Sequence, residues 1–163
     1  MRKVRRAKIE DAHAIHEIHM RSIRELCSKD HSPEEIQAWG NRPFRESERV
    51  DSIENQYVWV VENDNRIEGF GHLKIMNHKQ EVIGYLAGLY FAPEATKQGF
   101  ATEIVEEMIL EAKKQAAVRV ILESSLTAHK FYLKHGFKDC GPQTSIPIAG
   151  VPVQCFKMEL KLT

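Results

Sequence analysis

The order of elements between residues 82 and 122 constrains the fold of this chain most strongly. Val82 to Phe91 is a largely apolar run typical of a strand, and Val118 to Leu122 is a short apolar run of the kind found in buried strands. Between them, a glycine turn leads into a helical segment, Phe100 to Gln115, whose apolar face comprises Ile104, Val105, Met108, Ile109 and Ala112. This order predicts a parallel pair of strands with a right-handed crossover. The turn then lies at the carboxyl end of a strand, where α/β sheets bind ligands.

The flanking segments predict antiparallel strands and two further helices. Asp11 is a candidate N-cap for a helix that runs to about Cys27, and Ser32 to Glu35 has the form of a capping box with a first-turn proline. Two alternating runs joined by an Asn-Asp-Asn turn predict a hairpin. The predicted strands outside the parallel pair are Lys3 to Ala7, Tyr57 to Glu62, Ile67 to Ile75 and a terminal hairpin on either side of Pro147 to Gly150.

Composition indicates a single domain, residues 1–163, that binds a small ligand. Lys and Arg number 23 against 23 Asp and Glu, so no basic field favours nucleic acid and no polybasic segment favours a membrane surface. The basic N-terminus is not followed by an apolar h-region, and no apolar run approaches the roughly 18 residues of a membrane span. These features predict a cytoplasmic protein.

Neither the cysteines nor the histidines predict a metal site. The three cysteines are widely spaced and lack a C-x-x-C pair, so we expect reduced thiols at Cys27, Cys140 and Cys155. His13, His16 and His19 recur at every third residue, which spreads them over about a third of a helix circumference. We therefore expect them on a solvated face.

The residues at the start of the 100–115 helix suggest an anion site. The first turn of a helix leaves backbone N–H groups without internal partners, and the helix dipole adds partial positive charge there. Gly99 and Ala101 are small enough for a diphosphate to approach the backbone, and Gly99 tolerates a positive φ angle. Alone, such a glycine is also common in ordinary loops.

Two motifs resemble those of the GCN5-related N-acetyltransferase (GNAT) superfamily. Residues 96–101, TKQGFA, resemble its acetyl-CoA loop, Q/R-x-x-G-x-G/A, with Thr96 in place of Gln or Arg and Lys97 in place of a common Gly. The pattern N-x-x-A-x-x-F-Y-x-x-x-G-F matches Ser125, Ala128, Phe131, Tyr132, Gly136 and Phe137, departing only at Ser125. Ser22 to Trp39 is also similar to a bacterial subgroup called YafP-like, so the resemblance covers nearly the whole chain.

The resemblance implies an α/β fold of the α+β type, with acetyl-CoA as co-substrate. The implied sheet is mixed and mainly antiparallel, has six to seven strands flanked by about four helices, and splays between strands 4 and 5, where the pantetheine arm lies. Gly84 and Gly88 also indicate a bulge or close approach in that region. The implied cofactor-binding residues are Leu89, Tyr90, Phe91, Thr96, Lys97, Gln98, Gly99, Phe100, Ala101, Thr102, Ser125, Ala128 and Phe131.

The resemblance also implies where the acceptor binds. In the superfamily the first two helices and their connection cover the acceptor cleft, so His31, Trp39 and Phe44 are candidate lining residues. The implied acceptor is a primary amine of a small molecule or a peptide. Homodimers are common in the superfamily.

Thioester aminolysis needs a neutral amine, a polarised carbonyl and a proton for the thiolate. Tyr132 is the predicted acid, because a phenol with a reference pKa near 10 can protonate a thiolate with a reference pKa near 8.5 at modest cost. A backbone N–H within Leu89 to Phe91, on a bulged strand, is the predicted oxyanion donor. The candidate bases are Glu123, His72 and His31, with a water chain as the alternative.

One alternative mechanism and one alternative function stay open at this point. Cys27 near the acceptor side would allow a covalent acyl-cysteine step, although its position favours a packed or idle thiol. The departures at Thr96 and Lys97 would also suit an acyl-CoA-binding regulator that keeps the fold without efficient transfer. A dinucleotide-binding Rossmann domain is disfavoured, because the turn follows several antiparallel strands and lacks the three-glycine fingerprint.

Overall fold

One mixed sheet runs through the computed structural model, which describes residues 1–163. No helix in it has the length and apolar character needed to cross a membrane. The helices and strands, in chain order, are β1 (Arg2–Arg6), α1 (Ala12–Leu26), α2 (Pro33–Trp39), α3 (Glu46–Asn55), β2 (Tyr57–Asn63), β3 (Arg66–His78), β4 (Glu81–Phe91), α4 (Phe100–Lys114), β5 (Arg119–Ser125), α5 (His129–Lys134), β6 (Lys138–Asp139), β7 (Thr144–Ile148) and β8 (Val151–Lys161).

The sheet has the order β1-β2-β3-β4-β5-β8-β6, and β7 pairs with β8. Only β4 and β5 are parallel, and α4 forms the crossover between them, as the sequence predicted. Both predicted hairpins are confirmed. Each turns through two residues with positive φ, as tight two-residue turns require: Asp64 and Asn65 between β2 and β3, and Ala149 and Gly150 between β7 and β8.

The central strands are buried on both faces. In β2, Trp59 and Val61 pack towards α4, whereas Val58 and Val60 pack towards α1. This follows from the period of two in a strand, which sends successive side chains to opposite faces. The buried residues of α4 are Ile104, Val105, Met108 and Ala112, and the predicted fifth member of that face, Ile109, is partly buried.

Two parts of the fold differ from the prediction. The sheet has eight strands because β6, with only two residues, adds a short edge. The helix α3 was not predicted, since its apolar residues are only Val50 and Ile53 and none of its residues is fully buried. Packing against α1 and β2 holds it in place, as tertiary contacts do for most short helices.

The predicted splay between strands 4 and 5 is confirmed. Parallel pairing joins only Gly84 to Val120 and Tyr85 to Ile121, after which β4 and β5 separate. On its other side β4 continues to pair with β3, but the register shifts so that Ala87 has no partner. This β-bulge bends β4 away from β5, because an extra residue on one strand increases local twist.

The contact between β3 and α4 is tight enough to test. A Cβ atom at Gly71 would lie 2.4 Å from both Ile104 Cγ2 and Met108 Cε. We expect Gly71→Ala to push α4 off the sheet and lower the free energy of unfolding by about 1–3 kcal/mol, as overpacking of a core does. Urea unfolding measures this loss of stability. The control is His78→Ala, at the exposed end of the same strand. Equal stability of the two variants would contradict the packing described here.

Candidate active site

The separation of β4 and β5 leaves a gap that reaches the centre of the sheet. A cavity of about 30 Å³ lies in it. One wall is the β4 segment Leu86 to Tyr90, and the other comprises Glu123, Ser125, Ala128 and Tyr132. Alternate N–H and C=O groups of a strand point to each side, so the gap side of β4 presents backbone groups that no neighbouring strand uses. The gap therefore offers an extended ligand a free strand edge.

Tyr132 closes the gap from α5. The residue is only 5% exposed and packs edge-on against Phe131 and Phe137, which fixes the ring. Burial raises the pKa of Tyr132, and the nearby Tyr90 acts in the same direction. The phenol is therefore protonated at neutral pH, as a proton donor must be.

The two predicted bases approach from the strands. Glu123 lines the gap from β5. His72 lies on β3 in an adjacent cleft, where its Nε2 donates a hydrogen bond to Gln56 Oε1. Burial, with help from Lys74 and Arg49, lowers the pKa of His72 to about 4. The imidazole is therefore neutral at pH 7, with Nδ1 as its only free acceptor.

The glycine turn before α4 forms a concave surface of backbone donors. Lys97 and Gly99 have φ angles of 60° and 87°. The amides of the six residues from Lys97 to Thr102 donate to no group in the chain. Alternating left-handed residues of this kind create anion-binding nests. The turn borders a cavity of about 830 Å³ whose lining includes Lys29, Lys97 and Lys134 and no carboxylate.

Side chains in this region mostly support the turn. Thr96 Oγ1 donates to the Pro93 carbonyl at 2.8 Å, and Gln98 Nε2 donates to the Glu94 carbonyl at 2.8 Å. Thr102 Oγ1 donates to His135 Nε2 at 2.9 Å and so ties α4 to α5. The departure from the family pattern at Thr96 thus leaves the backbone donors in place. A diphosphate fits this donor set, because the free amides and the lysines border the same cavity.

The predicted cofactor residues are brought together around these two cavities. Leu89, Tyr90, Ser125 and Ala128 line the gap, and the remaining members except Gln98 line the larger cavity: Phe91, Thr96, Lys97, Gly99, Phe100, Ala101, Thr102 and Phe131. Ser125 Oγ accepts a hydrogen bond from the Ala128 amide at 3.1 Å, so this side chain shapes the start of α5.

Comparison with known proteins decides the family. The acetyltransferase (GNAT) domain model matches residues 27–160. The chain belongs to the GNAT family. It is 33% identical over 100 residues to YedL, an uncharacterized N-acetyltransferase of Escherichia coli K12, in a match that covers 57% of this chain and 61% of YedL. The chain therefore spans less than two thirds of the length of this relative.

Solved GNAT structures share the whole fold. A GCN5-related N-acetyltransferase from Rhodopseudomonas palustris superposes with a TM-score of 0.86 at 21% identity, covering 98% of this chain and 95% of that one. The PaiA N-acetyltransferase from Thermoplasma acidophilum, solved with coenzyme A, gives 0.76 at 22% identity and covers 99% of each chain. At such identities the similarity establishes the fold alone.

The GNAT acceptor residues predicted from the sequence need correction. His31 and Trp39 are 6% and 5% exposed, so neither side chain is available to line a cleft. His31 Nδ1 donates to Glu35 Oε2 at 2.8 Å, and its Nε2 accepts from the Leu126 amide at 3.2 Å. Both ring nitrogens are therefore occupied, which also removes His31 as a base. Phe44 is half-buried against His13 and His16, at the edge of the cleft.

The residues that line a second cleft beside the gap were not predicted as site residues. His16 and His19 were expected on a solvated face, but both are half-buried and line a cavity of about 360 Å³ with Arg42 and Arg49. Only His13 is exposed. The sequence carried no signal for this cluster, because Arg49 lies on α3, which its pattern did not predict.

Cys27 does not suit a covalent mechanism. It is 4% exposed, and burial raises the pKa of its thiol to about 11. A thiol with such a pKa carries almost no thiolate at neutral pH, and the thiolate is the nucleophile. The structure therefore argues against an acyl-cysteine intermediate at this residue.

The buried pair of His31 and Glu35 makes a stability prediction. Burial alone would raise the pKa of Glu35, but hydrogen bonds from His31, the Gln154 amide and Ser32 outweigh it and lower the pKa to about 2. A lowered carboxyl pKa stabilises the fold above the unfolded value of 4.5 and ceases to do so as the pH falls through about 2. We expect Glu35→Gln to cost about 3 kcal/mol at pH 7.

Urea unfolding at several pH values tests this effect. The difference between the wild type and Glu35→Gln should shrink as the pH falls from 4.5 towards 2. Glu34→Gln, at the exposed neighbour on the same helix, is the control. A difference that does not depend on pH would show that the carboxylate charge is not what stabilises this contact.

Proposed function

We propose that this GNAT protein transfers an acetyl group from acetyl-CoA to a primary amine by direct attack in a ternary complex. The observation that carries the proposal is the gap beside β4, closed by the Tyr132 phenol and adjoining the cavity of free amides and lysines. Phe91 and Phe131 border that cavity, while their neighbours Tyr90 and Tyr132 border the gap. One extended molecule, with a diphosphate in the larger cavity and a thioester in the gap, would occupy both sites.

The chain supplies separate groups for the two ends of acetyl-CoA. The amides from Lys97 to Thr102 bind the diphosphate, and the three lysines of the cavity neutralise its charge. The pantetheine arm pairs with the free edge of β4 from Leu89 to Phe91. A gap-side amide of this segment donates to the thioester carbonyl and stabilises the negative charge that develops on its oxygen.

The transfer balances with two proton movements. The neutral amine attacks the thioester carbonyl carbon, a C–N bond forms, and the C–S bond breaks with its electron pair on sulfur. Tyr132 donates its proton to the leaving thiolate, and the nitrogen of the new amide loses a proton to a base. Burial raises the pKa of Tyr132, which keeps the phenol protonated until the departing sulfur carries the negative charge that accepts the proton.

Glu123 is our first choice for the base, acting directly or through water, because it lines the gap itself. His72 stays the second candidate. Its pKa, which burial lowers to about 4, makes it a weaker proton acceptor than an ordinary imidazole, and it lies in the cleft from which the amine arrives. The YafP-like subgroup also stays a prediction, since the relative found is YedL, and so do a cytoplasmic location and a homodimer.

Calorimetry with acetyl-CoA, followed by CoA release over a panel of amines, tests the function. Tight binding with amine-dependent release is the expected result. Tight binding without release by any amine would favour an acyl-CoA-binding regulator. No binding would contradict the proposed use of the amide turn.

The role of Tyr132 predicts a specific kinetic effect. Tyr132→Phe should lower kcat by roughly 100-fold, the usual contribution of a general acid, while the Kd for acetyl-CoA stays nearly unchanged. Tyr57→Phe, on the distant strand β2, serves as control and should leave both constants unaltered. Equal losses of turnover and of acetyl-CoA affinity in Tyr132→Phe would remove Tyr132 from the role of acid.

A further inference from the structure

The cleft beside the gap is strongly cationic. It has a volume of about 360 Å³ and lies on the face of the sheet covered by α1 and α3. Its lining includes four side chains that carry a positive charge, Arg42, Arg45, Arg49 and Lys74, and a single acid, the exposed Glu48. The chain as a whole has a net charge of zero, so this concentration of cations is local.

The two half-buried arginines of the cleft have no carboxylate partner. Arg42 Nε donates to the Trp39 carbonyl at 2.9 Å, and Arg49 Nη2 donates to His19 Nδ1 at 2.8 Å. By contrast, Arg5 is paired with both Asp11 and Glu62. Charged groups removed from water are normally paired. Two guanidinium groups held without a counterion therefore indicate that the counterion comes with a ligand.

The histidines between the arginines cannot replace this counterion. His19 is neutral, because burial lowers its pKa well below the usual value and Arg49 acts in the same direction. A neutral imidazole has one lone pair, yet Arg49 Nη2 lies 2.8 Å from Nδ1 and Arg42 Nη2 lies 3.4 Å from Nε2. His19 Nδ1 accepts the hydrogen bond from Arg49, so the proton of the neutral ring is on Nε2. The Nε2–H group and the Arg42 Nη2 group are then both donors and cannot bond to each other. Arg42 Nη2 consequently lacks an acceptor.

Ala87 connects the cleft to the site of transfer. This bulged residue of β4 lines both the cationic cleft and the gap. An acceptor that binds in the cleft can therefore direct a group past Ala87 towards the thioester position. The cleft offers a polycationic acceptor only the exposed Glu48, because Glu35 is already bonded within the core.

We infer that the acceptor is a small amine that also carries an oxyanion, either a carboxylate or a phosphate, which binds between Arg42 and Arg49. The inference rests on the proposed function, because it assigns the acceptor of that reaction. The forked guanidinium groups suit the planar carboxylate and the phosphate equally. The same charges disfavour polyamines and aminoglycosides, which are cationic throughout.

Matched pairs of amines test the inference on the wild-type protein. The pairs are glycine with glycinamide, β-alanine with β-alaninamide, and phosphoethanolamine with ethanolamine, compared per concentration of unprotonated amine. At least one oxyanion member should give a kcat/KM roughly 10-fold or more above that of its partner, as expected for a charge-assisted contact. A preference within the first two pairs assigns a carboxylate, and one within the third assigns a phosphate. Equal or lower values for all three oxyanion members would overturn the inference.

Binding separates this result from a failure of the proposed function. If no amine releases CoA, calorimetry with the same pairs, with and without acetyl-CoA, still measures the preference of the cleft. The absence of any preference for the oxyanion members overturns the inference. A lack of acetyl-CoA binding overturns the proposed function instead.

Variants locate the contact. Arg49→Gln should raise the KM of the preferred acceptor by roughly 10- to 100-fold and leave the Kd for acetyl-CoA unchanged. Arg49→Lys, which keeps the charge but loses the fork, should lie in between. Arg66→Gln, at an exposed arginine near the β2–β3 turn, is the matched control. A folded Arg49→Gln variant with the wild-type KM would overturn the inference, and the amine pairs still decide the question if that variant does not fold.

Discussion

The separation of β4 from β5 after two paired positions is the constraint on which the rest of this structure depends. If the ladder continued, Tyr132 would face a closed sheet and the edge of β4 would be used by its neighbour. The bulge at Ala87 bends the strand, and α4 holds the other end of the crossover in place. The same geometry places the free amides of the glycine turn beside the mouth of the gap.

Several acids in this protein are held by internal contacts. Glu94 is paired with Arg21, and Glu35 is built into the core. Around the large cavity and the cationic cleft, the cations have almost no acids beside them. A chain with no net charge thereby forms two cationic surfaces, which we propose bind the diphosphate and the acceptor.

The sequence predicts the parts of this molecule that depend on local pattern. The crossover helix, the hairpin turns, the glycine turn and the place of Tyr132 follow from periodicity, turn residues and two short motifs. The cationic cleft does not, because its walls come from α1, α3 and β3, which meet only in the folded chain. The burial of His31 and Trp39 could not be predicted either. Helical spacing shows on which face of the helix a residue lies, but not which other elements cover that face.

The most direct test of the account is the response of backbone amide signals in NMR spectra when acetyl-CoA is added to the labelled protein. We expect the largest shifts for the amides from Lys97 to Thr102 and for gap-side amides between Leu86 and Phe91, with smaller effects on β1 and β2. Shifts confined to other surfaces, or none at saturating acetyl-CoA, would contradict the claim that the splayed sheet is the cofactor site.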